Sequence, residues 1–285
     1  MCIRDSTWDG ELYLEYHRGT YTSQGYNKRM NRKMELLYRT AEWMTAMRGI
    51  RAGIPELAEQ ERLTEGWKLI LTNQFHDIIP GSSIHEVYED SRRDYAKAEE
   101  IGTEVIRDYL DSELKKEPKT WTLYNASGWN MDEIAAVPET ETGEFMDSDG
   151  NVLRTQREKD VTYVHVKDVP AMGYRTIRFC PDGRKMEEES RSAAVFRVEG
   201  NCIETPFYSV EINDRGQMKT LYDKENQRNV LASGERGNVL QMFEDKPLDY
   251  EAWDIDIYYQ EKMREVTDLR KYEIRECGPV RLVIG

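Results

Sequence analysis

Three runs of apolar residues at helical spacing, separated by two Gly/Pro breaks, constrain this chain more than any other feature. From Tyr26 onward Met30, Met34, Leu37, Ala41 and Met44 recur at three- and four-residue steps. That is the stripe of a helix packing on neighbours, and its pattern predicts an end near Gly49. Gly53-Ile54-Pro55 restarts the chain, with Pro55 suited to a first helical turn. The second run carries Leu57, Leu63, Trp67, Ile70 and Leu71 and reads as helix through Phe75 and His76. Pro80-Gly81 must end it, because proline in a helix interior removes a hydrogen bond. Ser83-Ile84-His85-Glu86 then has the S-x-x-E form of a capping box. Val87, Ser91, Ala98, Ile101, Val105 and Tyr109 mark the buried stripe of the third helix. Long helices joined by short turns predict an antiparallel three-helix bundle over residues 26–116.

Past Lys115-Lys116-Glu117-Pro118 the helical period disappears. Trp121–Tyr124, Ile134–Val137, Val161–Val166 and Tyr174–Phe179 read as strands, and Asp147-Ser148-Asp149-Gly150-Asn151 as a hairpin turn. They predict a small β domain over 117–181. Residues 182–194 are charged and irregular, a linker. Over 195–285 a second β domain begins, with a hairpin in which Tyr208–Ile212 turns at Asn213-Asp214-Arg215-Gly216 and returns as Met218–Tyr222. The fold class expected is α+β multidomain, a three-helix bundle followed by β-sandwich domains. Ahead of the bundle, Glu11–His17 alternates like a strand, and residues 1–25 read as the tail of something preceding. Val280–Gly285 likewise reads as a strand without a terminator, so both ends read as cut.

With 54 Asp and Glu against 40 Lys and Arg, the formal charge is -14, which argues against nucleic acid and anionic membranes as partners. No apolar run approaches the roughly 18 residues of a membrane helix. The four cysteines, Cys2, Cys180, Cys202 and Cys277, form no CxxC pair, which disfavours a thiolate zinc site and suggests a reducing compartment. Met1–Ser6 has no apolar core of a secretory signal, which says little of a chain whose ends read as cut; the expected location is cytoplasmic. Walker, GxGxxG, GxSxG and HExxH motifs are all missing from the sequence.

What chemistry-bearing residues remain concentrate in Asn73–Ser83. His76 is one of four histidines and is followed directly by Asp77 and a Pro-Gly turn. Imidazole and carboxylate are common ligands of a divalent metal, but a catalytic metal takes about three protein ligands, and one histidine cannot hold it. The competing reading is structural: a histidine at a helix C-terminus gains about 0.3–1 kcal/mol from the macrodipole when charged. His85 lies beyond the turn on a new helix, with no assurance of meeting His76. A second candidate is Trp253 with Asp254 and Asp256, either a sugar-binding corner or plain surface of the acidic β region. His17 beside Arg18 is either a pocket wall or a strand end. Residues alone leave these alternatives open.

Trp8–Gln24 and Asn73–Ser83 resemble glycoside hydrolase family 38, the metal-dependent retaining α-mannosidases, in wording nearest the cytosolic and bacterial branch. Asn238–Pro247 and the Tyr208–Leu231 region resemble its C-terminal β portion. The resemblance implies an N-terminal α/β catalytic domain, of which residues 1–25 would be the tail end, then the bundle, then β-sandwich domains. It implies that His76 is one ligand of a zinc ion and that Asp77 contacts the hydroxyls of an α-mannoside. The family's remaining ligands, its nucleophile and its acid/base carboxylate would all precede Trp8. A fragment inactive on its own is therefore expected, with no catalytic residue within it. Linkage specificity, the physiological metal and the oligomeric state are not set by these residues.

Overall fold

The computed structural model describes residues 17–113, 117–181 and 195–285. The strand expected over Glu11–His17, apart from His17 itself, and the linker at 182–194 fall outside them. Two compact units form: one holds the three helices together with Phe243–Met263, the other the β structure up to Met242 and again from Arg264.

In the first unit α1 (Gly25–Ala52), α2 (Leu57–Asn73) and α3 (His85–Glu113) run up, down and up. The buried face of α3 is Tyr88, Ser91, Tyr95, Ala98, Gly102, Val105 and Tyr109, alternating steps of three and four as in a coiled-coil seam. On α1 the seam includes Met30, Met34, Tyr38, Ala41 and Met44, and on α2 Leu63, Gly66, Ile70 and Asn73. The expected stripe is thus correct for Met30, Met34, Ala41, Met44, Leu63 and Ile70. It is wrong for Leu57 and Leu71, which are 64% and 57% exposed.

Tyr38 occupies the centre of the bundle. A side chain on Gly66 would run into its hydroxyl end, and one on Gly102 would press on its ring and on Leu37. Glycine inside a helix costs about 1 kcal/mol relative to alanine, and here two of them make room for one large ring. The phenol donates to the Ala98 carbonyl at 2.8 Å, and the ring meets Trp67 edge-on at 5.3 Å. Tyr95, equally buried, has no hydrogen-bond partner for its hydroxyl among the described residues. Burial pushes both phenols up to about 12.

Helix ends differ from expectation. α1 runs past Gly49 to Ala52 and stops where Gly53 takes a left-handed conformation (φ 69°), so the glycine that accepts positive φ decides the end, not the first glycine met. α2 stops at Asn73, three residues before His76. The expected capping box does not form: the Ser83 hydroxyl donates to the Asp77 carbonyl at 2.5 Å instead.

The second unit begins with a sandwich of two three-stranded antiparallel sheets. β1 (Thr120–Asn125), β2 (Met131–Val137), β3 (Glu144–Asp147), β4 (Arg154–Arg157), β5 (Thr162–Val169) and β6 (Gly173–Cys180) sort into the orders β1-β6-β3 and β2-β5-β4. Val164 and Val166 of one sheet and Phe145, Ile177 and Phe179 of the other share a single core. Alternation along β5 breaks after Val166, where Asp168 adopts positive φ and Val169 turns inward. A five-stranded antiparallel sheet follows: β7 (Arg197–Glu199), β8 (Cys202–Glu204), β9 (Tyr208–Ile212), β10 (Met218–Asp223) and β11 (Arg228–Asn229). Asn213 closes the β9–β10 hairpin, its side-chain oxygen accepting from the Arg215 and Gln217 amides, with Gly216 at φ 76°. Two ribbons complete the unit, β12 (Gln241–Phe243) with β13 (Met263–Glu265), and β14 (Ile274–Cys277) with β15 (Leu282–Ile284). Three helices followed by antiparallel sheets is the α+β arrangement expected. No helix among the described residues is long and apolar enough to cross a membrane.

Candidate functional site

The end of the bundle where α2 gives way to α3 is built from three backbone segments in close contact. The first is the turn after α2. The Gln74 amide reaches back to the Ile70 and Leu71 carbonyls and ends the helix, and amide bonds from Ile78 to Phe75 and from Gly81 to Ile78 fold the chain into successive tight turns. The Tyr88 hydroxyl ties this turn to α3, accepting from the Ser83 amide at 3.0 Å and donating to the Ile78 carbonyl at 3.3 Å. The second segment is the loop before α1, with one 3-10 turn at Gly19–Tyr21. The third is Phe243–Met263.

Two glycines let these backbones approach. Gly81, at φ 100°, faces Ser23 so closely that a Cβ there would lie 2.6 Å from the serine Cβ. Gly19 donates its amide to the Trp253 carbonyl at 2.8 Å, and a Cβ on it would meet the Ala252 and Trp253 backbone at 3.0 Å. Ser23 donates its hydroxyl to the Ala252 carbonyl at 3.2 Å. Lys28, from the first turn of α1, clamps two segments together: its Nζ donates to the Ser23 carbonyl at 2.5 Å and the Ile79 carbonyl at 2.6 Å. Burial lowers the pKa of this ammonium. Beneath the turns lies a polar layer. Asn27 donates to Ser91 Oγ at 2.8 Å, and Asn73 donates to the Leu69 carbonyl at 2.9 Å and to Asp94 at 3.0 Å. Gln74 donates to Asn31 Oδ1 at 2.9 Å.

On this frame His76 and Asp77 face outward, their side chains 76% and 54% exposed, with Nε2 and Oδ2 3.6 Å apart. The His76 ring tilts against Phe75, centroids 4.3 Å apart. The expectation that α2 carries His76 in its last turn is corrected: main-chain bonds of Gln74 cap the helix, and the imidazole has no part in that. His85 sits on the first turn of α3, 3.4 Å from Glu89, and is not brought into a ligand group with His76. Among the described residues no group of three His, Cys, Asp or Glu side chains could hold a metal ion. An exposed imidazole beside a carboxylate fits one corner of a zinc site and not a whole one, because a catalytic zinc takes about three protein ligands.

Trp253 corrects the other expectation. The sequence reading set it in the β region, as a sugar-binding corner or plain surface, whereas it belongs to the unit of the helices, its ring edge-on to His17 at 5.3 Å and 72°. Asp256 accepts the Leu248 amide at 2.8 Å and so shapes its own segment. Gly19, Ser23 and Lys28 were not singled out from the sequence. The signals available were a glycine in each of two polar loops, which mark bends but not what passes beside them.

A family profile described as the Alpha mannosidase middle domain matches residues 15–112, and one described as the Glycosyl hydrolases family 38 C-terminal domain matches 203–284. The chain belongs to glycosyl hydrolase family 38. It is 26% identical over 266 residues to Alpha-mannosidase 2C1 of Homo sapiens and 28% identical over 311 residues to Alpha-mannosidase G of Dictyostelium discoideum. These matches cover 91% and 97% of this chain but only 24% and 28% of those relatives, so the family 38 chain spans about a quarter of their length. In structure it resembles an alpha-mannosidase from Enterococcus faecalis V583, with TM-score 0.72 and 17% identity, covering 95% of this chain and 35% of that one. At that identity the likeness shows the shared fold.

Proposed function

We propose that this chain is the bundle and β portion of a retaining, zinc-dependent α-mannosidase that removes terminal α-mannose from oligosaccharides. What supports the reading is the outward pair His76–Asp77 on a turn immobilised by Lys28, Tyr88 and Gly81, in a chain matched by two profiles of family 38. His76 would serve as one ligand of the metal, its remaining ligands lying outside the described residues. When bound, the metal supplies a positive anchor for sugar hydroxyls. Asp77 accepts hydrogen bonds from those hydroxyls, and the rigid turn fixes the carboxylate before substrate arrives, which lowers the ordering cost of binding. Retaining glycoside hydrolysis needs two carboxyl groups about 5–5.5 Å apart, and neither role is assigned to a residue of this chain.

The partner is thus an α-mannoside, with neither nucleic acid nor membrane bound at a surface of charge -14. Free thiols at Cys180, Cys202 and Cys277 accord with a cytoplasmic location. The rival reading, a non-catalytic carbohydrate-binding or interaction module with His76 as a helix cap, has against it that Gln74 and not His76 ends α2. In the holoenzyme, His76→Ala is expected to lose bound zinc and turnover together. Zinc and turnover both retained would favour the module. The isolated chain is expected to leave an aryl α-mannoside untouched, and measurable release of the aryl group would sink the assignment of the chemistry to residues elsewhere.

A further inference from the structure

We propose that Phe243–Met263 is a wall of the sugar site, with Trp253 stacking on the pyranoside whose hydroxyls Asp77 holds; this rests on the mannosidase reading above. Three observations carry it. The segment Phe243–Met263 belongs to the compact unit of the helices, while the chain on either side of it belongs to the other unit. Its place is set by the Gly19 amide and the Ser23 hydroxyl, and Ser23 in turn touches Gly81 and shares Lys28 with Ile79, so Trp253 and the His76–Asp77 turn are fixed to one frame. Finally, the indole is partly buried and edge-packed by His17, with part of its surface left accessible among the described residues.

An indole held on a polar frame with part of its surface accessible matches the apolar C–H face of a hexose, while carboxylates and backbone groups around it satisfy hydroxyls. Asp254 follows on the same strap, its amide donating to the Tyr250 carbonyl at 2.9 Å and its side chain partly exposed. It supplies an acceptor for a hydroxyl at the rim. Asp256, engaged with Leu248, does not. The substrate class is therefore a non-reducing hexopyranoside held between Trp253 on one side and Asp77 on the other.

The test is steady-state kinetics of the holoenzyme on an aryl α-mannoside, with zinc content measured in parallel. Trp253→Ala is expected to raise KM about tenfold, the loss of one stacked ring, with kcat within a few-fold and zinc unchanged. Trp253→Phe should recover most of that loss, which a merely structural strap residue would not do. Asp254→Asn, nearly isosteric, should raise KM by a smaller factor. If Trp253→Ala does not fold, Trp253→Leu, which keeps apolar bulk without a ring, and Asp254→Asn decide, and wild-type KM in both overturns the proposal. Unchanged KM in the Trp253 variants alongside a dead, zinc-free His76→Ala overturns this inference and leaves the mannosidase reading standing. Zinc and turnover retained in His76→Ala overturn both.

Discussion

The two ends of the helix bundle close in opposite ways. At the end away from the site Arg48 of α1 meets Glu56, just before α2, at 3.2 Å and Glu59 within α2 at 2.9 Å, all three side chains no more than 20% exposed. At the site end the corresponding layer is mostly amide and hydroxyl groups around one carboxylate: Asn27 with Ser91, and Asn73 with Asp94, beneath backbones stacked through Gly81 and Gly19. A charge cluster tolerates some movement because Coulomb attraction falls slowly with distance. Amide bonds and glycine contacts tolerate less, since hydrogen bonds weaken steeply with misalignment and close backbone contacts leave no slack. The far end has only to join two helices. The near end has to hold His76, Asp77 and Trp253 in register, and it uses the interactions that specify position most sharply.

Four substitutions test this contrast. Arg48→Met should have the largest effect, about 3 kcal/mol in chemical denaturation, because it leaves two glutamates together in a half-buried site, and it should leave the site end unchanged. Full stability after Arg48→Met would show the far end to be held by packing alone. Gly81→Val should cost about 2 kcal/mol, from a β-branched residue forced to positive φ and a contact with Ser23. Its effect should be local, with faster amide exchange at Ser23 and Ile79. Asn73→Ala removes two hydrogen bonds and strands the Asp94 carboxylate, costing about 1–2 kcal/mol. In the centre, between the ends, Tyr95→Phe should stabilise by about 1 kcal/mol, since it deletes a buried hydroxyl that has no partner among the described residues. A loss of stability there would show that the hydroxyl is satisfied in solution.

What the sequence carried was whatever is local. The three helices were legible because a 3.6-residue period repeats within each of them, and the Asn213–Gly216 turn because its side-chain acceptor and its glycine lie within four residues. Helix ends were less so: the end of α1 depends on which of Gly49 and Gly53 adopts positive φ, and the end of α2 on Gln74 satisfying carbonyls before Pro80 is reached. The apolar pattern also could not say that Leu57 and Leu71 face outward, because the seam of α2 is set by Tyr38 filling space opposite Gly66. His76 and Asp77 stood out as residues, whereas the frame that presents them did not. Gly19 and Trp253 are joined by a backbone bond between positions far apart in the chain, and no period or spacing encodes that.

That distance has a consequence in time. Ser23 and its partner Ala252 are separated by 229 residues. At a translation rate of about 5–20 residues per second, α3, which ends at Glu113, is complete roughly 7–28 seconds before Ala252 follows. Helical hairpins form in far less than a second, so the nascent bundle waits with Gly19, Ser23 and the rim of the His76 turn uncovered. During synthesis this end is an open seat, and its occupancy by Trp253 is the late event in the maturation of the chain.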